Sequence, residues 1–89
     1  MLIPVYNNVF KKDLAKMVRS NKDITKLITV ISMLINNIPL PDKYKDHKLI
    51  GNYKDHQECH IEPNWLLIYM VSGQYIEFVR TGSHSDLFK

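Results

Sequence analysis

The sequence predicts an α+β fold, in which an N-terminal strand and a two-helix hairpin pack on a small antiparallel β-sheet. Three observations carry this expectation. Apolar residues recur three and four apart through residues 24–38, which is a helical stripe. Beyond Pro41 the pattern changes to short runs that are alternating or wholly apolar, as strands are. Ser72-Gly73-Gln74 parts two of these runs closely enough to be a hairpin turn.

In chain order, "LIPVY" (2–6) reads as a short strand that Pro4 confines to an edge or a non-bonding position. Asn7 or Asn8 can cap the helix that follows, accepting from the free amides of its first turn. There Phe10, Leu14, Met17 and Val18 share one face, and Lys11, Lys12, Lys16 and Arg19 turn to water. "SNKD" breaks the helix, and Asp23 caps the next. Its stripe is Ile24, Leu27, Ile28, Ile31, Leu34, Ile35 and Ile38, and "NNIPLP" stops it because proline forbids further helical bonds. "HKLIG" and "YKDHQECHIE" read as strands. "WLLIYMV" (65–71) is apolar on both faces and therefore central, and "YIEFVRTG" (75–82) is its return strand.

Eighty-nine residues, 45% of them hydrophobic and 24% charged, suit one folded domain spanning 1–89. Cys59 has no partner for a disulfide, which makes a reducing cytoplasm the expected compartment. No apolar run approaches the ~18 residues of a membrane span, and "MLIPVYNNVFKKD" lacks the pattern of a secretory signal, so no membrane partner is expected. The net charge of +3 is uneven: six basic residues face two acidic ones up to Leu40, and six face seven thereafter. The bias mildly favours a polyanionic partner.

The stretch "DHQECHIEPNWLLIY" (55–69) concentrates titratable groups before the core strand. As a metal site it is rejected: His56 and His60 on a strand stand ~13 Å apart, and a set of His60, Glu58 and distant histidines would need three or four ligands to converge. As a strand it places Lys54, His56, Glu58, His60 and Glu62 on one face and Cys59 and Ile61 on the other. His56 and Glu58, taken singly, read as a solvated face, and Cys59 as a small core residue. A catalytic reading needs more of the chain. His84 follows the return strand, and Arg80 shares the parity of Ile76 and Phe78 unless a bulge re-aims it. Histidines for acid/base work, a cation for phosphate and an aromatic for stacking would together suit RNA cleavage.

The runs "YKDHKLIGNYKDHQECHIEPNWLLIY" and "FVRTGSHSDLF", preceded by "FKKDLAKM" and "LINNIPLPDKYKDH", strongly resemble the YafQ-type toxins of the RelE superfamily. The resemblance covers nearly the whole chain. It implies a RelE-like domain that cuts mRNA on the 70S ribosome without metal or cofactor. It also implies a cognate antitoxin, with the toxin monomeric alone and part of a hetero-oligomer when silenced. The family's functional positions fall on His47, His60, Trp65, Arg80, His84 and Phe88, and its acidic position on Asn64.

The expected chemistry is attack of a ribose 2′-hydroxyl on the adjacent phosphate. His60 and His84 would be the acid/base pair and His47 a third proton-handling or phosphate-contacting group. Arg80 would hold the phosphate as a planar fork. Trp65 and Phe88 would line the site, one of them stacking on a base, although burial habits favour Trp65 as core. Lys11, Lys12, Lys16 and Arg19 would meet ribosomal RNA phosphates. Because an amide cannot exchange a proton, Asn64 keeps open a rival reading, a weakly catalytic or inactive member that only occupies an antitoxin or the ribosome. A nuclease of free RNA is a further alternative.

Overall fold

A computed structural model describes residues 1–88. Its strands and helices are β1 (Ile3–Tyr6), α1 (Asn8–Arg19), α2 (Ile24–Ile35), β2 (His47–Lys48), β3 (Gln57–Glu62), β4 (Trp65–Ser72), β5 (Tyr75–Gly82) and α3 (His84–Leu87). Short 3₁₀ turns occupy Asp42–Tyr44 and Gly51–Tyr53. The five strands form one sheet in the order β1-β5-β4-β3-β2. The α+β class and the central place of 65–71 are as the sequence predicts. So is the antiparallel sheet, which runs from β2 to β5, and the N-terminal strand β1 joins its edge in parallel with β5.

Both long helices start on a side-chain cap. Asn7 Oδ1 accepts from Phe10 N at 2.7 Å, and Asp23 Oδ1 from Thr25 N at 3.1 Å. Phe10 and Met17 of α1 and Leu27 and Val30 of α2 are buried against Trp65, Leu67, Tyr69, Ile76 and Phe78 of the sheet. Each such side chain contributes roughly 1.5–3 kcal/mol of hydrophobic stabilisation. The apolar stripes are wider than the surface available to cover them. Val18 is 54% exposed and Ile28 58%, while Val30, outside the expected stripe, is fully buried. Ile38 falls outside α2, because the chain turns through Asn37 at φ +57°.

Alternate residues of β4 serve opposite faces. Trp65, Leu67 and Tyr69 join the helix-side core, and Leu66 and Ile68 join a second small cluster with Leu87, Leu49, Tyr53 and Val79. This second face carries only α3 and nearby turns, so part of it stays open. A bulge lies on each side of β4. In β5, Ile68 pairs with Arg80 and Tyr69 with Phe78, leaving Val79 as the extra residue. In β3, His60 pairs with Leu66 and Glu62 with Trp65, leaving Ile61 extra. The first bulge moves Arg80 off the face of Ile76 and Phe78. The second moves Glu62 off the face of Glu58 and His60, correcting the single polar face expected for 54–62.

Thr81 ties the two inner strands together. Its buried hydroxyl accepts from Trp65 Nε1 at 2.9 Å and donates to the Leu66 carbonyl at 2.7 Å. Thr81→Val keeps the shape and strands both partners, so unfolding in urea should show a loss of about 1–3 kcal/mol.

Candidate active site

The open face gathers side chains from five places in the chain. His47 in β2 lies opposite Glu58 in β3, and His60 follows on the same face. Glu58 is only 4% exposed, and a desolvated carboxylate needs compensation. Its Oε1 lies 3.3 Å from His60 Nε2 and 3.7 Å from His47 Nε2. The opposite nitrogens of both rings face carbonyls: His47 Nδ1 is 2.6 Å from Lys45 O, and His60 Nδ1 is 3.3 Å from Pro63 O. An acceptor at each nitrogen suits these rings to give protons.

His84 arrives from the other end of the chain. Ser83 caps α3 in a reciprocal box with Asp86, which orients the first residue of that single turn. Asn64, from the β3–β4 turn, accepts twice from His84: from its backbone N–H and its ring Nδ1, each at 3.0 Å. The Nδ1–H tautomer is thereby favoured and Nε2 is left toward the cluster. The His60 and His84 ring centres are 5.7 Å apart, and those of His47 and His60 6.3 Å. One ligand atom each from Glu58, His60 and His84 lies within 4.8 Å of the others, close enough for one ion. Sequence alone sets aside a site of His60, Glu58 and distant histidines for want of converging ligands, and the fold does bring these three together.

Arg80, re-aimed by the Val79 bulge, meets Asp13 of α1 through Nε at 2.7 Å and Nη2 at 3.2 Å. Asp13, and to a lesser degree Tyr53, hold the guanidinium still more firmly charged than usual, against the opposing effect of burial. Asp13 also accepts from Thr81 N–H at 3.1 Å, so the fork is seated against the core. Phe88 is 43% exposed, with its ring centre 6.4 Å from His84 and 5.7 Å, edge-on, from Tyr53.

Not every expected site residue reaches the cluster. Trp65 is fully buried on the helix side with its N–H committed to Thr81, so it underpins the site and presents no ring to a base. Lys16 pairs with Asp86 at 3.0 Å and ties α1 to α3, whereas Lys11, Lys12 and Arg19 are exposed. His56 sits aside, edge-on to Tyr53, with Nδ1 at 3.0 Å from Lys54 O. Glu58, read from sequence as surface decoration, is the buried hub. Its signal was its place two residues before His60 on the same strand face.

The arrangement gathers groups capable of acid/base work on the bare face of a small sheet, with a fixed cation and an exposed aromatic at its margin. Comparison with known proteins gives the family. Residues 3–89 match the model of the "Bacterial toxin of type II toxin-antitoxin system, YafQ". The mRNA interferase toxin YafQ of Escherichia coli (strain K12) is 42% identical over 84 residues, covering 93% of this chain and 91% of that protein. YafQ in the E. coli DinJ-YafQ complex superposes with a TM-score of 0.93 at 39% identity, with both chains covered completely. A metal-bound toxin from Helicobacter pylori gives 0.93 at 41% identity, over 99% of this chain and all of that one. The chain belongs to the YafQ family of bacterial type II toxin–antitoxin toxins.

Asp86 supplies a pH test of the framework. Lys16 and the Ser83 cap hold its carboxyl down at about 2, below the ordinary 3.8. A depressed carboxylate stabilises the fold fully above about pH 4 and ceases to as the pH falls toward 2. Asp86→Asn should lower stability at neutral pH and flatten the decline between pH 4 and 2 in acid titrations followed by circular dichroism.

Proposed function

We propose that this chain is the toxin of a type II pair, an endoribonuclease that cleaves mRNA on the ribosome until a cognate antitoxin binds it. The observation that carries this reading is the convergence of Glu58, His60 and His84 within 4.8 Å, close to the span of one phosphate. The E. coli relative is named an mRNA interferase, and YafQ has been crystallised with DinJ. Ribosome dependence fits a site that lies open on a sheet face, where another body must hold the RNA strand. The exposed Lys11, Lys12 and Arg19 supply cations for ribosomal RNA phosphates. Action on ribosomes puts the protein in the cytoplasm, and no helix among the described residues is long and apolar enough to cross a membrane.

The hydrogen bonding supports roles for the expected residues, with Glu58 added to them as the base. His60, with acceptors at both nitrogens, serves as a donor to the charge that builds on phosphorus, and His47 assists it. The 2′ proton then goes to Glu58, the carboxylate that both histidines contact through Oε1. The 2′ oxygen attacks phosphorus, the 5′ oxygen leaves, and His84, acting as the imidazolium with its Nδ1–H held by Asn64, protonates it through Nε2. The products are a 2′,3′-cyclic phosphate and a 5′-hydroxyl. Arg80 uses the edge of its fork that Asp13 does not occupy to hold the phosphate, and Phe88 offers a face to a base.

The two histidines and one carboxylate also fit a zinc- or copper-like ion, which would supply Lewis acidity at the phosphate. We assign cleavage to the side chains themselves, because the atoms that would hold the ion are those the proton transfers use.

Asn64 supports an active toxin over a merely binding one, since it performs an orienting task that needs no charge. Single-turnover cleavage on programmed ribosomes tests the whole reading. Glu58→Gln, His60→Gln and His84→Gln should each slow it by about 10²–10⁴-fold, the usual worth of acid/base groups. A chelator selective for zinc and copper, with Mg2+ kept in excess for the ribosomes, should leave the wild-type rate unchanged. Near-normal rates in Glu58→Gln and His84→Gln, or loss of activity with that chelator, would refute the assignment.

Asn64→Asp examines the departure from the family. A carboxylate at His84 Nδ1 favours the imidazolium, so the alkaline limb of the rate profile should move up by about one unit.

A further inference from the structure

Beside the catalytic cluster lies a cleft of about 520 Å³, walled by the first turns of α2, the 3₁₀ turn at 42–44 and the end of β3. His60 stands on its rim and so borders both the cluster and the cleft. Its floor is Ile61, and Tyr44 forms part of a wall while packing against the helix-side core.

The charge in the cleft is mostly positive. Lys26 reaches Glu62 Oε2 at 2.8 Å, and Lys22 takes Oε1 at 3.1 Å, so one carboxylate is shared by two ammonium groups. Lys43 and Lys45 add two more cations, and among the described residues neither has a carboxylate within ion-pair distance. Lys43 Nζ stands 5.1 Å above the centre of the Tyr44 ring. Lys45 has a second task. It adopts φ +50° at the end of the 3₁₀ turn, and its carbonyl receives His47 Nδ1. The segment that lines the cleft therefore also holds one of the site histidines.

We propose that this cleft is a subsite for the nucleotide next to the scissile phosphate, its phosphate held by Lys43 and Lys45 and its base against Tyr44. The inference rests on the RNA-cleaving function proposed above. A volume near 500 Å³ is that of a small-ligand pocket. Lysines around an aromatic wall suit single-stranded RNA, whose backbone is neutralised while its bases stack. Continuity through His60 gives the strand a path: bound in the cleft, it must pass the cluster.

A short 2′-O-methyl RNA, which cannot be cleaved at any position, provides the measurement. Its Kd for the wild-type chain, for Lys43→Gln/Lys45→Gln and for a charge-matched Lys48→Gln/Lys54→Gln control would be followed from 50 to 300 mM KCl. Glutamine keeps the backbone and the side-chain length. Loss of two phosphate contacts should weaken binding about tenfold or more at 100 mM and flatten the salt slope by about 1.4, with the control within about twofold. An unchanged Kd and slope in the Lys43/Lys45 variant overturns the subsite, as does the lack of saturable RNA binding by the wild type. A loss confined to binding an acidic antitoxin peptide also overturns it. Cleavage by the Glu58 and His84 variants is scored separately. If those retain cleavage while the lysine variant loses RNA, the proposed chemistry fails and the subsite stands. The converse leaves the chemistry and removes the subsite.

Discussion

The site is organised around a carboxylate withdrawn from water. A nearly buried Glu58 would cost several kcal/mol if left alone, so the fold has to bring it protons. It does so from a neighbouring strand, through His47, and from two residues along its own strand, through His60. Those rings are steadied from behind by the carbonyls of Lys45 and Pro63, both in turns flanking the short strands. Desolvation at one point thus draws together turns, strands and ring orientations that would otherwise be independent.

The sheet makes this possible by being unequally covered. Helices α1 and α2 seal one side of β4, whereas the other side receives only α3 and a few turn residues. An apolar strand usually needs cover on both faces. Here the partial cover leaves a polar clearing next to Leu66 and Ile68, on a backbone held rigid by pairing on both sides. Trp65 and Thr81 serve from the sealed side. Their hydrogen bond fixes the ends of β4 and β5, from which Asn64 and His84 depart.

Much of this was legible in the sequence. Hydrophobic period located the helices, and the unbroken apolar run located the central strand. The motif around His47, His60, Arg80, His84 and Phe88 named side chains that the fold does bring to one face. What was hidden follows from features that strict periods cannot express. The bulges at Ile61 and Val79 each shift a strand by one residue, sending Glu62 toward Lys22 and Lys26 and Arg80 toward the site. Glu58 looked like surface because alternation says which residues share a face, not how deeply each is buried. Val18 and Ile28 looked like core because period does not say how wide the facing surface is. The parallel partnership of β1 and β5 joins opposite ends of the chain, and no local pattern records it.

That partnership also bears on when the molecule can come into being. β1 precedes the other strands, yet among the described residues its sheet neighbour is β5, and Asn7 just beyond it bonds Glu77, seventy residues away. His84 and Phe88 come later still. A growing chain therefore carries β1 without a mate until β5 has been made, since contacts between distant segments form last. The edge of the sheet and the cluster around His84 thus close together, once β5 and α3 are in place.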